Sequence, residues 1–141
     1  MLNNSNFSIA NKSLLARPKL LSEGGPFELM KKAVLGEKYE LSLVFTTASK
    51  MLELNKTYRN LNEPTDILSF PLSKTSGEIF ICPSETKKMM AEFDLTAQAG
   101  RTKFENFLAF LFIHGLVHLK GYDHGDKMEK VEIKFRKKFG I

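Results

Sequence analysis

The stretch Phe104-Glu105-Asn106-Phe107-Leu108-Ala109-Phe110-Leu111-Phe112-Ile113-His114-Gly115-Leu116-Val117-His118-Leu119-Lys120-Gly121-Tyr122-Asp123-His124 decides the fold. From Phe104 to His118, apolar residues occupy nearly every side of a helical projection. That pattern predicts a central helix buried all round, where a surface helix would show one apolar stripe. Gly121 should end it, because glycine accepts the positive φ of a helix C-terminal turn. Thr102 or a neighbour is expected to cap its start.

The only three histidines of the chain, His114, His118 and His124, lie within this stretch. Residues i and i+4 are about 40° apart around a helix axis and one turn apart along it. His114 and His118 can therefore aim two imidazoles at one ion. A third ligand needs the chain to turn back, and Gly121 permits that, so His124 can complete a three-histidine face. Zinc held by three protein ligands keeps a fourth position for water, which is the catalytic arrangement. Imidazoles on a helix rich in Phe and Leu would also cost burial energy unless something satisfied them, and a metal ion does. A hydrogen-bonded core histidine is the commoner role for a single His on such a helix. Three of three in this spacing point to a metal site. Nickel, cobalt and manganese remain open beside zinc, since imidazole suits several of them.

The spacing matches the extended metallopeptidase pattern His-Glu-x-x-His-x-x-Gly-x-x-His in every position but one. Gly115 stands where a peptidase carries its general-base glutamate. A peptide-hydrolysing mechanism then lacks its proton acceptor. Close helix packing is the bland account of Gly115. Asp123 is either a partner that orients a ligand imidazole or a solvent-facing turn carboxylate.

Outward from the core helix, Asp126 to about Phe139 forms a last amphipathic helix with Met128, Val131, Ile133 and Phe135. Its basic end, Arg136-Lys137-Lys138, suits the helix dipole. Upstream, Phe7-Ser8-Ile9-Ala10 reads as a short strand and Ser22-Glu23-Gly24-Gly25-Pro26 as a loop. Phe27 to Leu35 is a helix opened by Pro26 and closed by Gly36. Glu40 to Thr47 reads as a strand, best buried in its C-terminal half. Thr47 or Ser49 caps a helix bearing Met51, Leu52, Leu54, Asn55 and Tyr58. Thr65 to Phe70 is a strand that Pro71 should end. After a turn at Lys74-Thr75-Ser76-Gly77, Glu78 to Cys82 is another, and the short link makes the two an antiparallel pair. Ser84 should cap a helix whose polar face carries Glu85, Lys87, Lys88 and Glu92. These elements predict a single α+β domain: a small mixed sheet of three to four strands packed with about five helices, with the buried helix carrying the metal motif. Strand order does not follow from them.

The 141 residues fit one domain, and hydrophobic and charged fractions of 43% and 26% are ordinary for a globular protein. Twelve Phe and no Trp predict a phenylalanine core. A formal net charge of +5 favours anionic partners such as nucleic acid. The lone Cys82 cannot form an internal disulfide, which suits a reducing compartment. The longest apolar run, Phe107 to Ile113, has seven residues, against about 20 for a membrane span. With no signal-peptide pattern at the start, a cytoplasmic protein without membrane contact is expected.

Arg59 has only local context to speak for it, a surface arginine or a clamp for a phosphate. A wider pattern decides between them. Leu54-Asn55-Lys56-Thr57-Tyr58-Arg59, Pro64-Thr65-Asp66-Ile67-Leu68-Ser69-Phe70-Pro71, Gly77-Glu78-Ile79-Phe80-Ile81-Cys82 and the three-histidine segment occur in that order and resemble the YbeY family. The resemblance spans about residues 40 to 139 and implies a single-strand-specific endoribonuclease acting in ribosomal RNA maturation, including small-subunit 3′-end processing, and in ribosome quality control. It implies one zinc ion per chain on His114, His118 and His124, and Arg59 lining a positive cleft beside it. Arg59 and His114 are thus the catalytic candidates, and single-stranded RNA, ribosomal RNA and the ribosome or its proteins the candidate partners. The chain departs from the family after His124, where an acidic segment is common but Gly125-Asp126-Lys127-Met128-Glu129 runs straight into a basic helix. Two other readings stay in view: a metal-dependent amide or peptide hydrolase, and a non-catalytic RNA-binding protein of ribosome assembly that zinc merely staples.

Overall fold

Period-two alternation builds the sheet and all-round apolarity builds the helix beneath it. The computed structural model describes residues 6–13, 24–90 and 103–141. Among these the order is β1 (Phe7–Asn11), α1 (Pro26–Leu35), β2 (Glu40–Phe45), α2 (Ala48–Arg59), β3 (Ile67–Ser73), β4 (Ser76–Ile81), α3 (Pro83–Met90), α4 (Lys103–Leu119) and α5 (Asp126–Lys138). Four strands and five helices among the described residues make the expected mixed α+β domain. The expected cap Thr102, the loop residues Ser22 and Glu23, and Glu92 lie outside the described residues.

The sheet order is β1-β2-β4-β3. β2 runs parallel to both neighbours, and β3 and β4 form the antiparallel pair that their short link predicts. Successive side chains of a strand point to opposite faces. On one face Ile9, Leu41, Leu43, Phe45, Ile79 and Ile81 are buried against α4 together with Phe27, Met30 and Val34 of α1. On the other face Leu68, Phe70 and Phe80 pack against Met51 and Leu54 of α2. β2 alternates along its whole length, so its burial is not confined to the C-terminal half.

α4 is the helix that the sequence singles out. Phe107, Leu108, Phe112, Ile113, Leu116 and Val117 are all fully buried, and Phe112 stacks between Phe7 and Phe27. Thr47 is the cap of α2, accepting a hydrogen bond from the Lys50 amide.

Two further expectations are corrected. β3 does not stop at Pro71 but runs through it to Ser73, with a register irregularity between Pro71 and Ser73. β3 is an edge strand, so the missing N–H of Pro71 costs no ladder bond on its open side. Ser84 does not cap α3. The helix begins at Pro83, and the Thr86 amide donates to the Cys82 carbonyl, which puts Cys82 at the cap position and Ser84 inside the first turn.

Candidate metal centre

α4 ends in a turn that the sequence encodes at one glycine. The Tyr122 amide donates to the Val117 carbonyl and the Gly121 amide to the His118 carbonyl, with Gly121 at φ +112°. This paired pattern reverses the chain after the helix. It carries His124 back over the last turn of α4, where His114 and His118 already share a face. The ring centroids lie 4.7 Å (His114–His118), 4.7 Å (His118–His124) and 5.4 Å (His114–His124) apart. One potential ligand nitrogen from each ring lies within 4.8 Å of the others.

The donor set fits a transition metal. Three imidazoles suit zinc and its neighbours. The other ring nitrogens of the two helical histidines are engaged: His118 Nδ1 lies 3.0 Å from the Tyr122 carbonyl oxygen, and His114 Nδ1 lies 2.6 Å from Glu132 Oε1. That leaves Nε2 of each as the free nitrogen. Burial, reinforced by the charge of neighbouring His114, holds the His118 pKa below its ordinary value, against the Tyr122 carbonyl that favours the cation. A neutral imidazole is the form a metal needs.

Arg59 reaches the same place from a different element. It is the last residue of α2, and Asn60 follows in the left-handed conformation. The buried Asn55 side chain donates to the Glu63 carbonyl and so pins the loop that continues from there. The Arg59 guanidinium donates to the Ser69 carbonyl at 3.1 Å and lies 5.0 Å from the Phe70 ring centre. Arg59, His114, His118 and His124 line one open cavity of about 430 Å³, along with Ser69 and Asp123. The structure thus brings the predicted ligands and Arg59 together.

Other candidates fare differently. Asp123 lines the cavity, but among the described residues it makes no hydrogen bond to a histidine; the carboxylate on His114 is that of Glu132. Nothing in the histidine spacing signals Glu132, which sits 18 residues away on another helix. Burial raises the Asp66 pKa, opposed by the Ile67 amide, the Thr65 hydroxyl and the positive field of His114. Tyr58 is 62% exposed and meets Phe70 edge-on at 5.3 Å. Tyr122 instead packs partly buried against the core. Lys56, Lys137 and Lys138 are solvent-exposed. Gly115 is explained by close approach: a Cβ there would meet Ile67 Cδ1, Ile79 Cδ1 and Ser69 Oγ, each at 3.0 Å.

Comparison with known proteins shows the family of the chain. Residues 26–139 match the family model described as endoribonuclease YbeY. A curated endoribonuclease YbeY of Halalkalibacterium halodurans is 34% identical over 127 residues, covering 84% of this chain and 77% of the relative. That of Thermotoga maritima is 34% identical, covering 79% and 71%. That of Onion yellows phytoplasma is 38% identical, covering 66% of this chain and 65% of the relative. A solution structure of a Thermotoga maritima protein superposes with a TM-score of 0.63 at 25% identity, covering 94% of this chain and 88% of that one.

Proposed function

Because this chain belongs to the endoribonuclease YbeY family, we propose that it is a zinc-dependent endoribonuclease acting on single-stranded RNA in ribosomal RNA maturation. Its roles on this reading are 3′-end processing of small-subunit RNA and ribosome quality control, in the cytoplasm, with the ribosome or its proteins as partners. Residues 1–141 act as one catalytic domain. The observation that carries the reading is the meeting of three imidazoles and one guanidinium at a single open cavity. No helix of the described residues is long and apolar enough to cross a membrane.

His114, His118 and His124 would hold the zinc ion, one per chain. Bound there, zinc supplies Lewis-acid polarisation of a phosphate oxygen and a lowered pKa for water. Arg59 binds the scissile phosphate and stabilises the charge that develops on it. The Ser69 carbonyl and the Phe70 face hold its guanidinium where the cavity opens. RNA brings its own 2′-hydroxyl, so the chain need supply no nucleophile. The exposed Tyr58 ring beside Phe70 offers an unstacked base a surface to stack on, which favours single strands. The tight packing around Gly115 speaks against an amide or peptide hydrolase, because a Cβ at the position of that reaction's glutamate would already crowd Ile67, Ile79 and Ser69.

Metal content per chain by elemental analysis comes first, for wild type and His118→Ala. About one zinc in the wild type and little in the variant is expected. Arg59→Ala should keep its zinc and its fold but lose cleavage of single-stranded RNA by 100-fold or more, in line with the roughly 10²–10³ cost of removing one charge-stabilising donor. Full cleavage by that variant would remove Arg59 from the mechanism. A folded wild type that holds zinc but cleaves no RNA would leave the stapled RNA-binding protein.

A further inference from the structure

We infer that Glu132 is the positioning residue of the metal centre, fixing the tautomer and orientation of His114 through its Nδ1. The inference rests on the metal-site reading above. Among the described residues, the contact differs from the chain's lysine–glutamate pairs. It is 2.6 Å long, with side chains only 24% and 13% exposed, whereas the lysines of the other two pairs are 46% and 73% exposed. It also joins two helices, α4 and α5, where those pairs are local i,i+3 contacts.

The sequence places Glu132 there through packing. Met128 and Phe135 are buried on the inner face of α5, four residues before and three after Glu132. Residues at those spacings share a helix face, so the anchors that seat α5 on the core also point Glu132 at α4. An imidazole whose Nδ1–H donates a hydrogen bond to a carboxylate keeps its proton there and presents Nε2 as the ligand atom. His118 gets the same service from a neutral group, the Tyr122 carbonyl. His114 is therefore the histidine of the pair whose Nδ1 faces a carboxylate. Glu132 does not line the cavity and so acts only through His114. It is no stand-in for the glutamate absent at position 115, because a base must reach the reacting proton.

Zinc affinity by chelator competition on the full chain tests this, for wild type, Glu132→Ala, Glu132→Gln and, as a control on the same helix, the exposed Glu129→Gln. Glu132→Ala should bind zinc 10–100-fold more weakly. Glu132→Gln should fall between it and wild type, and Glu129→Gln should match wild type. Imidazole nitrogen NMR of the zinc-free proteins gives a second readout. His114 should hold its proton on Nδ1 in the wild type and divide it between the two nitrogens in Glu132→Ala. Should Glu132→Ala fail to fold, the near-isosteric glutamine variant carries both measurements. Folded Glu132 variants with wild-type zinc affinity and an unchanged His114 tautomer overturn the inference. A wild type that binds no zinc overturns the metal reading and this inference with it, a result distinct from equal affinities.

Discussion

Gly115 sits where a metallopeptidase of the same motif keeps its glutamate, and the neighbouring side chains crowd the position. Its missing side chain lets α4 approach β3 and β4 until a single added carbon would touch three atoms at 3.0 Å. Gly115→Glu would complete the peptidase pattern on paper. In the fold it must push a carboxylate into Ile67 and Ile79, adding overpacking of about 1–3 kcal/mol to the cost of burying a charge. The gain in helix propensity over glycine, below about 1 kcal/mol, does not offset this. We expect the variant to lose about 3 kcal/mol, read as a Tm about 6–12 °C lower, and to show no peptidase activity. A stable variant that cleaves peptides would refute this account. The clustering of the three histidines was legible in the sequence because they fall within eleven residues of one helix and its turn. Glu132 was not, because its link to His114 exists only once α5 is packed on α4.

At the scale of the element, the turn after α4 does two tasks with one set of bonds. It closes the helix through the Gly121 and Tyr122 amides, and it supplies the Tyr122 carbonyl that engages His118. Gly121 stands at φ +112° with nothing within 4 Å of where a Cβ would sit, so the strain of a substitution is purely one of backbone conformation. Gly121→Ala should cost about 1–2 kcal/mol. It should weaken zinc binding about tenfold, because relaxing the turn moves His124 and loosens His118 together. Calorimetry and chelator competition on the same sample read both. An unchanged zinc affinity beside a lowered Tm would show that the turn serves the fold alone. Gly121 as the helix stop was readable from glycine's conformational range. Ser84 as a cap was not, because Pro83 already takes the first helical position and hands the cap to Cys82.

For the whole molecule, the class of fold followed from patterns inside single segments, while its arrangement did not. The all-round apolarity of α4 and the hairpin link of β3 and β4 are local signals. The placement of β2 between β1 and β4 joins residues more than thirty positions apart, such as Phe7 with Leu41 and Glu40 with Ser76, and no local pattern encodes it. The misplaced end of β3 has the same origin, since Pro71 breaks a strand only where both sides must be paired. That edge position has a consequence for life at high concentration. An unguarded strand rim recruits the rims of other molecules and seeds fibrils. Here the rim is guarded by a residue with no hydrogen to give and by an irregular register beside it. The guard matters because the exposed Leu72 would otherwise make the rim adhesive. Pro71→Val should leave the chain folded but bring on turbidity at lower protein concentration during heating. If its light scattering matches the parent's, the register irregularity alone keeps neighbouring molecules apart.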